Sequence, residues 1–129
     1  MIGILLITHD TLGEALLQCA CHVLNKRPAQ LLQLGVAAGD DPNDLLPLAK
    51  NMLKLVDTGE GAVILTDIYG ASPANLAGKL LQPGKIEGIA GVNLPMLLRA
   101  VSYRDKGMET LLSRATGGGR DGVLNMLKH

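Results

Sequence analysis

Residues 1–16 read MIGILLITHDTLGEAL, and the rest of the fold can be worked out from this stretch. The apolar run Ile2–Ile7 has the length and composition of a fully buried β-strand. The run stops at Thr8, His9 and Asp10, and apolar residues with a helical period follow at once. A buried strand that leads directly into a helix is the beginning of a βαβ unit.

The same alternation continues along the chain. Strand-like strings recur at Gln30–Leu34, Ala62–Leu65 and Ile86–Ala90, and each is followed by a segment of helical period. A further period over Met108–Ala115 predicts one more helix. On the first predicted helix, the apolar residues with this period form a stripe along one face, namely Leu12, Ala15, Leu16, Cys19, Ala20 and Val23. These patterns predict an α/β fold with a doubly wound, mainly parallel sheet of order 2-1-3-4, helices on both faces, and a single domain over residues 1–129.

Several of the predicted helices are preceded by capping residues. Thr11 with Glu14 predicts a capping box, and Asn93 predicts an N-cap for the fourth helix. Asp41 and Ser72 each precede a proline, the residue that is favoured at the first helical position. We therefore expect the helices to begin directly after these residues.

Two features do not fit a simple helical pattern. Pro47 falls inside the second helix and removes one hydrogen bond, so that helix either kinks there or begins later. Residues 116–122, TGGGRDG, lack the Lys-Ser/Thr pair of a P-loop and follow no buried strand. We expect them to form a simple turn before a terminal segment.

The composition excludes several classes of function. The 12 basic and 12 acidic side chains cancel, and the chain has no Trp, no Phe and only 2 Tyr, so we expect no nucleic-acid partner. The apolar runs are far shorter than the roughly 20 residues that span a bilayer. The first residues lack the layout of a secretory signal. We therefore expect a cytoplasmic protein in which Cys19 and Cys21 are reduced thiols.

His9 and Asp67 are expected to meet at one edge of the sheet. His9 follows the first strand and Asp67 follows the third, and these strands are neighbours in the order 2-1-3-4. The strand order reverses between them, and ligands of open parallel sheets collect beyond the strand ends at such a reversal. The alternative is a histidine that merely caps or packs at a strand end, and this location argues against it.

Such a pair has the chemistry of a phosphoryl-accepting histidine. Imidazole is largely neutral and nucleophilic at cellular pH. A carboxylate can hold one ring nitrogen as a donor and leave the other free to attack. The helix near Thr11 would aim its positive end at an incoming phosphoryl group, and Ser72 could add a hydroxyl from the other side.

The two other histidines have no comparable setting. His22 lies beside the stripe of a helix and His129 is the last residue, so both are assigned surface or structural roles. No two histidines have the spacing of metal ligands, so the sequence predicts neither a metal nor another cofactor.

Four motifs in fixed order carry a resemblance to a known family. They are ILLITHD with His9, TDIYGASPANLA around Asp67, GIAGVNLPML from Gly88 onward, and GGGRDGV near the end. Together they resemble the IIA component of the mannose-type bacterial sugar phosphotransferase system (PTS). The resemblance runs from the first strand to the last few residues.

The resemblance implies a cytoplasmic, usually homodimeric phosphocarrier that is at most peripheral to a membrane transporter. His9 would accept a phosphoryl group from the histidine-containing phosphocarrier protein, which enzyme I charges from phosphoenolpyruvate, and would pass it to a IIB component. Asp67 matches the aspartate that orients the histidine, and Ser72 lies in the Gly-Ser-Pro segment. Two residues depart from the pattern, because Asp10 and Ala71 stand where the family usually has glycine. Asp10 either slows phosphoryl acceptance or caps the helix.

Three other interpretations were weighed against this one. A regulatory phosphoprotein of an incomplete PTS would control a bound partner and would not serve sugar transport. A receiver-like domain phosphorylated on Asp67 needs an acidic cluster after the first strand and a lysine late in the sheet, and the chain lacks both. The phosphoryl donor of dihydroxyacetone kinase usually has Asp-Met-Gly-Ser after its third strand, so it is a weaker match than TDIYGASP.

Overall fold

All the strands lie in one parallel sheet of order β2-β1-β3-β4, which confirms the predicted fold class. The computed structural model describes residues 1–128. Its strands are β1 (Gly3–His9), β2 (Leu31–Val36), β3 (Ala62–Thr66) and β4 (Ile86–Ala90), and its helices are α1 (Leu12–Leu24), α2 (Pro42–Val56), α3 (Ser72–Gly78), α4 (Leu94–Tyr103) and α5 (Met108–Asp121). None of these helices is both long and apolar enough to cross a membrane.

Strand β1 is the centre of the sheet. Each residue of the apolar run from Ile4 to Ile7 is completely buried, because β1 is paired on both edges and covered on both faces. Ile7 lies opposite Leu34 of β2 and opposite Thr66 of β3, so the strand ends are aligned. This alignment brings the residues that follow β1 and β3 to the same edge of the sheet.

The two faces of the sheet are covered by different helices. Ile4 and Leu6 belong to a cluster that contains residues of α1, α4 and α5. Leu5 and Ile7 belong to a second cluster that contains residues of α2 and α3. The alternation of neighbouring β1 residues between the two clusters is the period-2 geometry of a strand, here apolar on both faces.

Two of the predicted helix caps are confirmed. The Asp41 side chain accepts a hydrogen bond from Asn43 N at 2.9 Å at the start of α2. Asn93 Oδ1 accepts one from Met96 N at 2.9 Å at the start of α4. Each cap satisfies a first-turn N–H that has no partner within its helix.

The predicted capping box at α1 is wrong. Thr11 occupies the N-cap position, but its side chain makes no capping hydrogen bond. Thr8 Oγ1 accepts from Gly13 N at 2.7 Å instead. The buried end of β1 therefore supplies the cap that the sequence pattern assigned to the helix's own residues.

The starts of α2 and α3 also depart from expectation. Ser72 is the first residue of α3 and makes no capping bond, because Ala71 is the N-cap residue. Helix α2 begins at Pro42 and continues through Pro47, so it does not begin later. Pro47 is exposed and lies near the helix start, where its missing hydrogen bond interrupts only the early turns.

Helix α1 packs through a different face from the one predicted. Its buried residues are Gly13, Leu17 and Ala20. Four members of the predicted stripe are exposed, namely Leu12, Ala15, Cys19 and Val23. The face that contacts the sheet is therefore rotated from the predicted stripe, and an apolar strip of α1 is left at the surface. Cys19 and Cys21 are both free thiols.

The glycine-rich residues 116–122 do not form the expected turn, since α5 continues through them to Asp121. A Cβ on Gly118 would lie 2.8 Å from Arg99 Cβ, and one on Gly119 would lie 2.8 Å from Met96 Cε. Glycine at these positions lets α5 approach α4 closely. This packing overrides the intrinsic cost of about 1 kcal/mol for each helical glycine.

We expect opposite effects from alanine at two neighbouring glycines of α5. Gly117→Ala should raise the free energy of unfolding by up to about 1 kcal/mol, because nothing lies within 4 Å of the added Cβ. Gly118→Ala should lower it by about 1–3 kcal/mol, because its Cβ would clash with Arg99. Urea denaturation measures both, and two stabilised variants would contradict the close helix packing.

Candidate functional site

His9 and Asp67 meet where β1 and β3 end, as the sequence predicts. His9 is the last residue of β1, and Asp67 directly follows Thr66, the last residue of β3. His9 Nδ1 lies 2.8 Å from Asp67 Oδ2. The backbone N–H of His9 donates to the same oxygen at 3.1 Å. One carboxylate oxygen therefore fixes both the ring and the backbone of the histidine.

The two side chains differ in their exposure to solvent. The His9 side chain is 45% exposed, whereas that of Asp67 is 12% exposed. An ionised carboxylate only accepts hydrogen bonds, so the contact assigns the proton to Nδ1 of the neutral ring. His9 Nε2 then carries the free lone pair of a half-exposed imidazole.

The pKa of the Asp67 carboxyl lies below its usual value. Burial acts to raise this pKa, but the hydrogen bonds from the ring and the backbone N–H of His9 favour the ionised form and outweigh it. Ile68 N adds a local bond to Asp67 Oδ1 at 3.1 Å. The site therefore holds a charged carboxylate against the ring at neutral pH.

The turn between β1 and α1 forces an unusual backbone at Asp10. Its φ of 47° lies in the left-handed region, which costs a non-glycine residue about 1 kcal/mol. Asp10 N donates to Val36 O at 3.0 Å. A Cβ on Gly35 would lie 2.1 Å from Asp10 O, so only glycine at position 35 leaves room for this turn.

The two supporting residues predicted from the sequence form no hydrogen bond with His9 or Asp67 among residues 1–128. Thr11 is exposed at the N-cap of α1, two residues after His9. Ser72 is partly buried at the start of α3, and no hydrogen bond within residues 1–128 joins it to His9 or Asp67. Of the four predicted site residues, the hydrogen bonds therefore join only His9 and Asp67.

Sequence reasoning missed the apolar residues beside the pair. Leu12 is 43% exposed, Ile68 is 56% exposed and Tyr69 is 87% exposed. Ile68 and Tyr69 directly follow Asp67, and Leu12 is the first residue of α1. Their position within three residues of the two strand ends was the available signal for exposed apolar residues at this edge of the sheet.

A groove of about 790 Å³ lies between α3 and β4. Small residues line much of it, among them Gly70, Ala74, Ala77, Gly78, Gly88 and Ala90. Thr66 Oγ1 is buried at this groove and has no hydrogen-bond partner among residues 1–128. Among residues 1–128 as a whole, no group of three or more His, Cys, Asp or Glu side chains could hold a metal ion.

Comparison with known proteins assigns the family. A model of the EIIA-man family, described as the PTS system fructose IIA component, matches residues 3–115. This chain belongs to that family. Members of the PTS IIA family are phosphotransferases, and the match extends from β1 into α5.

Two relatives in Escherichia coli K12 support the assignment to the mannose-type IIA components. The PTS system mannose-specific EIIAB component is 31% identical over 125 residues, which are 95% of this chain and 38% of that protein. The chain thus spans less than two fifths of that relative. The phosphotransferase enzyme IIA component YadI is 31% identical over 109 residues, which are 81% of this chain and 72% of that protein.

Solved IIA structures have the same fold. The EIIA component from Streptococcus agalactiae superposes with a TM-score of 0.88 at 21% identity, covering 100% of both chains. The mannose/sorbose-specific IIA subunit from Enterococcus faecalis has a TM-score of 0.84 at 21% identity and covers 96% of this chain and 93% of its own. The open sheet described above is therefore the architecture of PTS IIA proteins.

The lowered pKa of Asp67 predicts how an Asp67→Asn variant responds to pH. Asp67 adds stability that is fully present above the pKa of an unfolded aspartate, about 3.9, and that is lost as the pH falls through the lower pKa of the folded state. The variant should be less stable by about 1 kcal/mol at pH 7. This difference should shrink as the pH falls below about 4. Urea denaturation across this range measures it, and a constant difference would contradict the charged hydrogen bond.

Proposed function

We propose that the chain is a cytoplasmic phosphocarrier of a phosphoenolpyruvate-dependent sugar PTS. His9 accepts a phosphoryl group from the histidine-containing phosphocarrier protein and passes it to a IIB component. The observation that carries the proposal is the 2.8 Å contact between His9 Nδ1 and the largely covered Asp67 carboxylate, which leaves Nε2 of a half-exposed ring free. Family membership supports it.

The transfer step is an exchange of one P–N bond for another. The lone pair of His9 Nε2 attacks phosphorus, the P–N bond of the donor phosphohistidine breaks, and its electron pair returns to the donor ring. The proton on His9 Nδ1 remains between that atom and Asp67. The phosphorylated ring then carries a positive charge, which the adjacent carboxylate stabilises.

The start of α1 supplies polar support for the phosphoryl group. The first N–H groups of a helix have no partner within the helix, and Thr8 Oγ1 occupies only that of Gly13. The remaining amides and the positive helix end lie close behind His9 and favour an anion. Thr11 and Ser72 add hydroxyls in the proposed mechanism.

The apolar surface next to His9 fits a protein partner better than a free sugar. Leu12, Ile68 and Tyr69 are exposed and lie within three residues of His9 or Asp67 in the chain, and aromatic and apolar side chains form the cores of protein interfaces. Both partners in the proposed function are proteins. The sugar itself would never contact this chain.

We also propose that the chain forms a homodimer through the open edge of β4. Lys85 O and Gly91 N form hydrogen bonds with β3. The backbone groups of successive residues in a parallel strand point to opposite edges, so those of Gly88 and Ala90 point to the open side. The C-terminal segment carries exposed apolar residues, namely Val123, Leu124, Met126 and Leu127. An unpaired edge and an uncovered apolar segment on one chain can satisfy each other in a second copy.

His9 alone should carry the phosphoryl group. After incubation with phosphoenolpyruvate, enzyme I and the phosphocarrier protein, intact mass should reveal one added phosphoryl group on wild type and none on His9→Ala. The group should be lost in acid and retained in base, as expected of a phosphoramidate, whereas an acyl phosphate on Asp67 would be lost in base.

Matched variants control this experiment. His22→Ala should behave like wild type, because His22 is exposed on α1 away from the strand ends. Asp67→Asn should be loaded more slowly by orders of magnitude, because the amide can hold the wrong imidazole tautomer. A folded His9→Ala protein that still gains a phosphoryl group would overturn the proposal and favour a receiver-like domain.

The dimer should be detectable by light scattering at micromolar concentration. Leu124→Asp with Leu127→Asp should yield monomers, because these changes place charges on the segment proposed to cover β4. Val23→Asp, which changes an exposed apolar residue on α1, should remain dimeric. Wild type that is monomeric at these concentrations would contradict the proposed dimer.

A further inference from the structure

Asp10 places a negative charge one residue after the proposed phosphoryl acceptor, and no cationic side chain among residues 1–128 forms an ion pair with it. Its carboxylate is exposed and makes no ion pair or hydrogen bond among residues 1–128. Thr11 is the N-cap residue of α1, so Asp10 does not cap the helix. Its charge is therefore available to act on a group attached to His9.

The backbone of Asp10 is held firmly in position. Its N–H donates to Val36 O, and its carbonyl oxygen packs directly against Gly35. His9, the preceding residue, is fixed by two bonds to Asp67. The separation between the Asp10 carboxylate and the His9 ring is thus limited to what one side chain's rotation allows.

The charge of Asp10 acts differently from that of Asp67. The Asp67 carboxylate is bonded to the ring and balances the positive charge that the ring acquires on phosphorylation. A phosphoryl group adds up to about two negative charges at neutral pH. Asp10 forms no ion pair among residues 1–128, and the charge of the phosphoryl group exceeds the single positive charge of the ring, so the net interaction with Asp10 is repulsive.

We propose that Asp10 raises the phosphoryl-transfer potential of His9. This inference rests on the proposed function and concerns how readily the carrier releases its phosphoryl group. In the onward step a nucleophile attacks phosphorus, the Nε2–P bond breaks, and its electron pair returns to Nε2. The repulsion from Asp10 is relieved in this step, so the charge favours the unphosphorylated protein.

An exchange experiment measures the effect directly. Isotopically labelled wild type and an unlabelled Asp10 variant are mixed with a trace of phosphorylated carrier protein, which moves phosphoryl groups between them until equilibrium. Intact mass then gives the ratio of the two phosphorylated forms. Asp10→Asn removes the charge and still tolerates the left-handed backbone, Asp10→Gly also relieves the backbone, and Asp10→Glu keeps the charge.

Asp10→Asn and Asp10→Gly should each hold more phosphoryl than wild type by roughly three- to tenfold at low salt. Asp10→Glu should remain near wild type. The ratio of phosphorylated variant to phosphorylated wild type should approach one at about 1 M salt, where the Debye length is about 3 Å. Equal partition between Asp10→Asn and wild type at low salt would overturn the inference, and so would an excess that salt does not reduce.

A second measurement separates failure of the inference from failure of the proposed function. Potassium phosphoramidate, a small phosphoryl donor, can load the histidine without any protein partner. The ³¹P signal then reports the pH at which the doubly charged phosphoryl group takes up one proton and becomes singly charged. This pH should be higher in wild type than in Asp10→Asn, because a nearby carboxylate disfavours the doubly charged form.

The two measurements give distinct outcomes. If the carrier protein exchanges no phosphoryl with wild type while the ³¹P difference is present, the proposed donor is wrong and the electrostatic role of Asp10 stands. If exchange occurs and the partition does not depend on the charge at position 10, the inference is wrong and the proposed function stands.

Discussion

The central position of β1 is the constraint on which the rest of the molecule depends. Its fully buried apolar run can be satisfied only if strands pair on both edges and helices cover both faces. The neighbours β2 and β3 arrive by crossovers in opposite directions, so the strand order reverses at β1. The reversal places the ends of β1 and β3 side by side, so His9, the last residue of β1, meets Asp67, which directly follows β3.

Elements with a strong apolar period were predictable from the sequence, and details set by packing between elements were not. The strands differ from their predicted bounds by at most two residues, because apolar strings such as Ile86–Ala90 are stable when they are buried in the sheet. The glycine run 117–119 reads locally as a helix breaker. Whether its glycines end α5 or allow close contact depends on the neighbouring side chains of Met96 and Arg99, which are distant in sequence.

The candidate site likewise has a part that was predictable from the sequence and a part that was not. The meeting of His9 with Asp67 follows from strand order alone, so the sequence sufficed to predict it. The local hydrogen bonds did not follow, because Thr8 Oγ1 accepts from the Gly13 amide, whereas the pattern expected Thr11 to cap the helix. Thr8 is completely buried near the end of β1, and its hydroxyl would lack this partner if it did not accept from the amide.

Under the proposed function, the unequal exposure of the two site residues meets two conflicting requirements. An acceptor nitrogen must be reached by the phosphorus atom of another protein, which requires an open position, and the His9 ring is nearly half exposed. A carboxylate that fixes a tautomer acts most strongly where water does not compete, and the Asp67 side chain is largely covered. Placing the histidine at the very end of β1 and its carboxylate just beyond β3 meets both requirements. The cost of burying Asp67 is offset by the hydrogen bonds from His9, so the accessible ring also stabilises the less accessible charge.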